Sequence, residues 1–228
     1  MAQAAFAPEP APQQPDPASQ PTEPSFDVLR WRDEPWTAQL ALDLLPETNG
    51  PKVEVLSGSV IVTPHAGIDH QSVERELPYL LHRAARQAGL WVYPEINVVS
   101  GKDLFIPDVT VLRASGGGRP AVEIGQVVLL GEIVSPSNRR KDVIDRPREY
   151  AAAGVPFFLR VDLRNRVPTM ALFKLTEGEY TPLSAAAAGS TFTMTEPFAF
   201  AVDPADLLDE MAPGEDEEGP EGQVDAEG

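Results

Sequence analysis

One segment narrows the fold more than any other: Val127-Val128-Leu129-Leu130-Gly131-Glu132-Ile133-Val134, an apolar run broken by a single acid. Eight residues of this kind read as a strand buried on both faces. An ionised carboxylate inside it is costly unless a cation or hydrogen bonds offset it. A second acid, Asp108, stands twenty-four residues earlier in Leu104-Phe105-Ile106-Pro107-Asp108-Val109-Thr110-Val111-Leu112, which also reads as a central strand. Two such acids on adjacent strands suggest a divalent metal site.

The rest of the chain supplies a frame for those strands. Asp33-Glu34-Pro35 is expected to cap a short helix through Trp36, Leu40 and Leu44, ended by Pro46. Val53–Leu56, Ser57-Gly58 and Ser59–Val62 spell a tight hairpin. Asp69 is placed to cap a helix whose apolar positions are Val73, Leu77, Leu80, Leu81 and Ala84, with Pro78 predicting a kink or a split. Strands are expected at about 91–99, 104–112 and 127–134. A helical segment then runs through Tyr150 to Ala153, closed by Gly154, and Asp145 is placed to start a fresh helix before Pro147. Phe157–Asp162, Val167–Leu175, Thr181–Leu183 and Thr191–Met194 complete the strands. The pattern is a mixed α/β sheet flanked by helices, with hairpins added at both ends.

Composition bounds the chemistry. With no cysteine among 228 residues, disulfides and thiolate metal sites are excluded. Residues 1–25 carry seven prolines and read as a disordered arm, and 209–228 as a disordered acidic tail, around one folded unit over 26–208. No apolar stretch approaches a membrane span, and Met1 to Phe6 lack the marks of a signal peptide, so a soluble cytoplasmic protein is expected. The net charge of −17 disfavours a polyanionic partner at long range, although Arg139-Arg140-Lys141 with Arg146 and Arg148 form a local basic cluster.

A Pro-Asp strand, then a strand bearing Glu and an apolar residue, then a helix, resembles the PD-(D/E)XK nuclease fold. The closer resemblance is to the Uma-two family of restriction endonucleases. It runs from about Trp36 to Leu175 and rests on Val53-Glu54 through Gly58, Asp69-His70-Gln71, Pro94-Glu95, Ile106-Pro107-Asp108-Val109, Glu132 through Ser137, Asp142, and Tyr150 through Val161-Asp162. The resemblance implies a restriction-endonuclease-like α/β domain that hydrolyses DNA phosphodiester bonds with Mg²⁺ or Mn²⁺. Asp108 and Glu132 would hold the ion, helped by the backbone carbonyl of Ile133, because Mg²⁺ takes oxygen ligands and keeps several waters. A basic side chain should then orient the water or steady the developing charge. The broader fold has its lysine two residues after the glutamate, where this chain has Val134. The family's lysine on the next helix corresponds to Arg146, which shares a helical face with Asp142 and Tyr150. Arginine supplies charge and donors but cannot act as a general base. Glu54 and Glu95 are secondary candidates, suited either to complete the ion's sphere or to pair with Arg146. A homodimer is the fold-level expectation for such nucleases.

Blander readings stand beside these. Glu132 in a salt bridge with Arg146 accounts for its burial without a metal. His65, His70 and His82 are scattered, and His70 reads as a polar residue at a helix start. Ser115-Gly116-Gly117-Gly118 is not followed by the Lys-Ser or Lys-Thr of a phosphate loop. Ser135 and Ser137 read as helix caps, and Trp31 and Trp36 as packing. Two further functions therefore compete with an active endonuclease: a catalytically impaired nuclease-fold protein that binds nucleic acid or protein, and a structural interaction module that binds no metal.

Overall fold

The computed structural model describes residues 34–45, 51–134, 141–163 and 167–208. The expected arm and tail, and Trp31, Ser135, Ser137, Arg139 and Arg140, lie outside them. The first helix is α1 (Ala38–Leu44), capped by Thr37, whose hydroxyl accepts from the Leu40 N–H at 3.3 Å. It starts later than Asp33-Glu34-Pro35 suggested, because Pro35 and Trp36 serve the next element instead. That element is the hairpin of β1 (Lys52–Leu56) and β2 (Ser59–Thr63). Ser57 and Gly58 both take positive φ, 49° and 81°, as a two-residue hairpin turn requires. The Trp36 N–H donates to the Gly58 carbonyl at 2.9 Å.

Helix α2 (Ile68–Gln87) begins after Gly67, with Asp69 inside its first turn rather than at the cap. Of the kink or split expected at Pro78, the split does not occur, since the helix runs unbroken through that residue. Proline inside a helix costs about 3 kcal/mol. Val73, Leu77, Leu81 and Ala85 are buried in the main core, and one fully buried leucine or valine alone returns about 1.5–3 kcal/mol.

The two long strands expected at 91–99 and 104–112 are each divided. Residue Glu95, at φ 42°, separates β3 (Trp91–Pro94) from β4 (Val98–Ser100), and Ile106-Pro107-Asp108 separates β5 (Asp103–Phe105) from β6 (Val109–Leu112). The halves join different sheets. With β7 (Val122–Glu123), β4 and β5 extend the hairpin into a five-stranded sheet ordered β2-β1-β5-β4-β7. The other halves join β8 (Val127–Val134), β9 (Phe157–Asp162), β10 (Thr169–Thr176) and β11 (Glu179–Ala187) in a six-stranded sheet ordered β11-β10-β9-β8-β6-β3. Every residue of β8 is buried. β12 (Phe192–Met194) and β13 (Phe200–Val202) form a small antiparallel pair.

β8 and β9 are parallel, so the chain must cross over between them. It does so through a π-helical turn, Lys141–Asp145, and α3 (Arg146–Ala152), which starts near Pro147 as expected. One core packs α2 against β6, β8, β9 and β10, and a second gathers Tyr150, Phe105, Leu130 and Phe158. The mixed α/β architecture read from the sequence is therefore present, with the five-stranded sheet as an addition.

Candidate active site

Asp108 sits where the chain leaves one sheet for the other, one residue before β6. The ladder pairs Val109 with Gly131, which puts Asp108 level with Glu132 at the end of the β6–β8 pairing. The Ile133 N–H donates to Asp108 Oδ2 at 2.7 Å, which ties the acid to β8. Lys52, the first residue of β1, donates to Oδ1, and His70 Nε2 lies 3.7 Å from Oδ2, an electrostatic contact longer than a hydrogen bond. Burial would raise the Asp108 pKa, but His70 and Lys52 together hold it well below the usual carboxylate range.

The Lys52 ammonium gathers further acids. Its Nζ lies 2.7 Å from Glu95 Oε1 and 3.5 Å from Glu74 Oε1. Burial opposes its charge, yet Asp108, Glu95 and the field of Glu132 raise its pKa above the ordinary lysine value. Glu74, on α2, is pushed up to about 7 by burial, with Lys52 pulling the other way. The His70 pKa is raised against its burial by Asp108 and Glu74, and its buried Nδ1 has no hydrogen-bond partner among the described residues. Ligand atoms of His70, Glu74 and Asp108 all lie within 4.8 Å of one another. Two oxygens and an imidazole nitrogen at that spacing suit a divalent ion such as Mn²⁺.

Glu132 faces a different set of groups. Tyr150 OH donates to its Oε1, and Arg146 Nε lies 3.9 Å from the same oxygen. Arg146 also donates through Nη2 to Glu54 Oε2 and through Nη1 to Glu149 Oε2 at 2.8 Å. Its guanidinium carbon lies 5.6 Å from the centre of the Phe105 ring. Glu54 Oε1 in turn accepts from the Ile106 N–H at 2.9 Å, which braces the turn that presents Asp108. Burial and the Glu132 carboxylate raise the Tyr150 pKa well above its usual value, so the hydroxyl keeps its proton and donates. Arg146 is 1 % exposed.

Of the residues expected from the sequence, Asp108 and Ile133 are joined by a hydrogen bond, and Glu132 and Arg146 by a close ionic contact. Between Glu54 and Glu95, the sequence left the pairing with Arg146 open; Glu54 makes it, and Glu95 binds Lys52. The cluster of metal-ligating type contains Asp108 but takes His70 and Glu74 from α2 rather than Glu132. Asp142 and Lys141 lie in the turn before α3. Lys52 and Glu74 were missed, and His70 was read only as a helix-start residue. Two periodicities carried the signal: Lys52 is two residues before Glu54 and so on the same strand face, and His70 and Glu74 are four apart on one helix face.

A family model, Uma2, described as "Putative restriction endonuclease", matches residues 38–205. Among solved structures, a chain titled as a putative nuclease belonging to DUF820 from Anabaena variabilis superposes with a TM-score of 0.53. It is 18 % identical, and the match covers 68 % of this chain and 86 % of that one, a likeness of fold. No curated protein matches.

Proposed function

Since the chain belongs to the Uma2 family, described as putative restriction endonucleases, we propose that it is an endonuclease that hydrolyses DNA phosphodiester bonds with Mg²⁺ or Mn²⁺. The observation that carries this reading is the Asp108 carboxylate, buried yet held ionised, with His70 and Glu74 ligand atoms beside it. Asp108 and Glu132, with the Ile133 carbonyl, are the proposed metal ligands, and His70 and Glu74 extend the donor set. When bound, the ion would supply a water of lowered pKa and neutralise charge growing on the phosphate.

The chain's own residues do the rest. The Ile133 N–H fixes the orientation of Asp108, which also meets Lys52 in the ion-free chain, and Tyr150 and Arg146 fix that of Glu132. Burial of both acids keeps bulk water from screening them. The test is cleavage of supercoiled plasmid and of single-stranded DNA with Mg²⁺ or Mn²⁺, comparing wild type with Asp108→Ala and Glu132→Ala. Both variants should lose activity, and a chelator should abolish it in the wild type. Unchanged cleavage in both variants would sink the mechanism.

A second reading is favoured by the burial of Arg146. In the lysine position of the family pattern stands a guanidinium committed to Glu54 and Glu149, within a chain of net charge −17. This reading makes the protein a catalytically impaired relative that binds nucleic acid or a protein partner. Calorimetric binding of Mn²⁺ without cleavage of any DNA would support it over the first.

A further inference from the structure

A phosphodiesterase site needs a positive group to meet the charge that grows on the phosphate. Among the described residues, Lys52 and Arg146 adjoin the acids described above, and they differ in what they can reach. Arg146 is 1 % exposed, and all three guanidinium nitrogens face carboxylates: Nη2 meets Glu54, Nη1 Glu149 and Nε Glu132. A substrate phosphate arriving from solvent finds no donor there.

Lys52 is placed differently. Its side chain is 20 % exposed, so it spans from solvent to the buried Asp108. Nζ touches Asp108, Glu95 and Glu74, one from the turn before β6, one from the β3–β4 break and one from α2. An ammonium is a compact charge with three rotatable donors on a flexible stem, and it can change partners without rebuilding its surroundings. Its own strand is held by the side chain two residues on, because Glu54 is clamped between Arg146 and the Ile106 N–H. One strand therefore carries an immobile anchor and a movable cation on the same face.

Resting on the nuclease reading, we infer that Lys52 is the catalytic cation of this site. Its single charge offsets part of that of Asp108, Glu74 and Glu95 in the ion-free chain, and its ammonium would face the scissile phosphate and the attacking water when Asp108 and Glu74 hold a divalent ion. In the hydrolysis the water oxygen bonds to phosphorus as one ester P–O bond breaks. The water gives up one proton to solvent, and the leaving oxygen takes one up. Lys52 stays protonated throughout and meets the added negative charge. The function that the family pattern gives to the helix, and that the sequence placed at Arg146, moves to the start of β1.

The experiment compares the full-length wild type with Lys52→Gln and Lys52→Arg, using MnCl₂ titration by calorimetry and nicking of supercoiled plasmid. Lys52→Gln should bind Mn²⁺ more tightly than wild type, because a cation competing for the same carboxylates is gone. It should nick on the order of a hundredfold more slowly. Lys52→Arg, which keeps the charge, should recover part of the rate. Circular dichroism melts confirm that each variant is folded, and if Lys52→Gln does not fold, Lys52→Met takes its place. Nicking by Lys52→Gln at close to the wild-type rate overturns the inference. So does Mn²⁺ affinity that is equal or weaker, which would make Lys52 a support for the acids. Should the wild type cut no DNA, the nuclease reading fails by itself. Lys52 is then judged on the titration alone, where unchanged affinity rejects it as the site's resident cation.

Discussion

Arg146 holds Glu54 and Glu149 and reaches Glu132, all from a position closed to solvent. Arg146→Leu strips this guanidinium from two buried acids, and breaking a buried pair of this kind costs about 3–5 kcal/mol. Urea unfolding should show a loss of that size; a change near zero would mean the acids find other compensation. Arg146→Lys keeps the charge but not the fork, so it should lower stability without speeding cleavage. Glu74 carries a pH prediction. Its folded pKa, raised to about 7 by burial, means that it is protonated below that pH and ionised above it. Metal ligands must be deprotonated, so Mn²⁺ affinity should climb as pH rises through about 7. Calorimetry across that range checks the sign, and Glu74→Gln should lessen the climb, the remainder belonging to His70, whose raised pKa also requires a proton to leave before it binds. At this scale the sequence made Asp108 and Glu132 visible, because an acid in an apolar run is conspicuous. Lys52 gave only a weak signal, its register with Glu54, because a lysine at a strand start looks like any solvated charge until a distant acid is folded against it.

Elements divide along the same line. The hairpin of β1 and β2, the buried β8 and the strand β9 were legible, since turn residues and apolar runs are local signals. The breaks at Glu95 and at Ile106–Asp108 were not, because apolar residues continue on both sides of each. Yet these breaks make the site: they pass the chain between sheets and leave Glu95 and Asp108 at the crossings. The close approach of β6 and β8 depends on Gly131, where a Cβ would lie 3.1 Å from Val109 Cβ. Gly131→Ala should force the strands apart, costing about 1–3 kcal/mol. Because the Ile133 N–H that holds Asp108 lies two residues on, Mn²⁺ affinity should fall as well. Thermal melts and calorimetry measure the two effects, and a stable variant with weakened metal binding would separate them.

For the molecule as a whole, metal binding and folding are linked, because the acids and His70 come from β1, α2, the β3–β4 and β5–β6 breaks and β8, and meet only in the folded chain. An ion bound at a hundred times its Kd adds about 2.7 kcal/mol of stability. Saturating MnCl₂ should therefore raise the thermal midpoint of the wild type and leave that of Asp108→Ala unmoved. An equal rise in both would place binding elsewhere, with the acidic residues from Asp209 onward as the first suspect. Among the described residues no helix is long and apolar enough to cross a membrane. The mixed α/β class, the β1–β2 hairpin, the strands β8 and β9, the acids Asp108 and Glu132 and the family resemblance were determined by the sequence itself, since periodicity, turn chemistry and local motifs act between near neighbours. Which cation serves the acids was decided only in three dimensions. Lys52 and Asp108 are fifty-six residues apart, and the energy of an ion pair depends on distance through space and on the water excluded around it, neither of which a linear pattern contains.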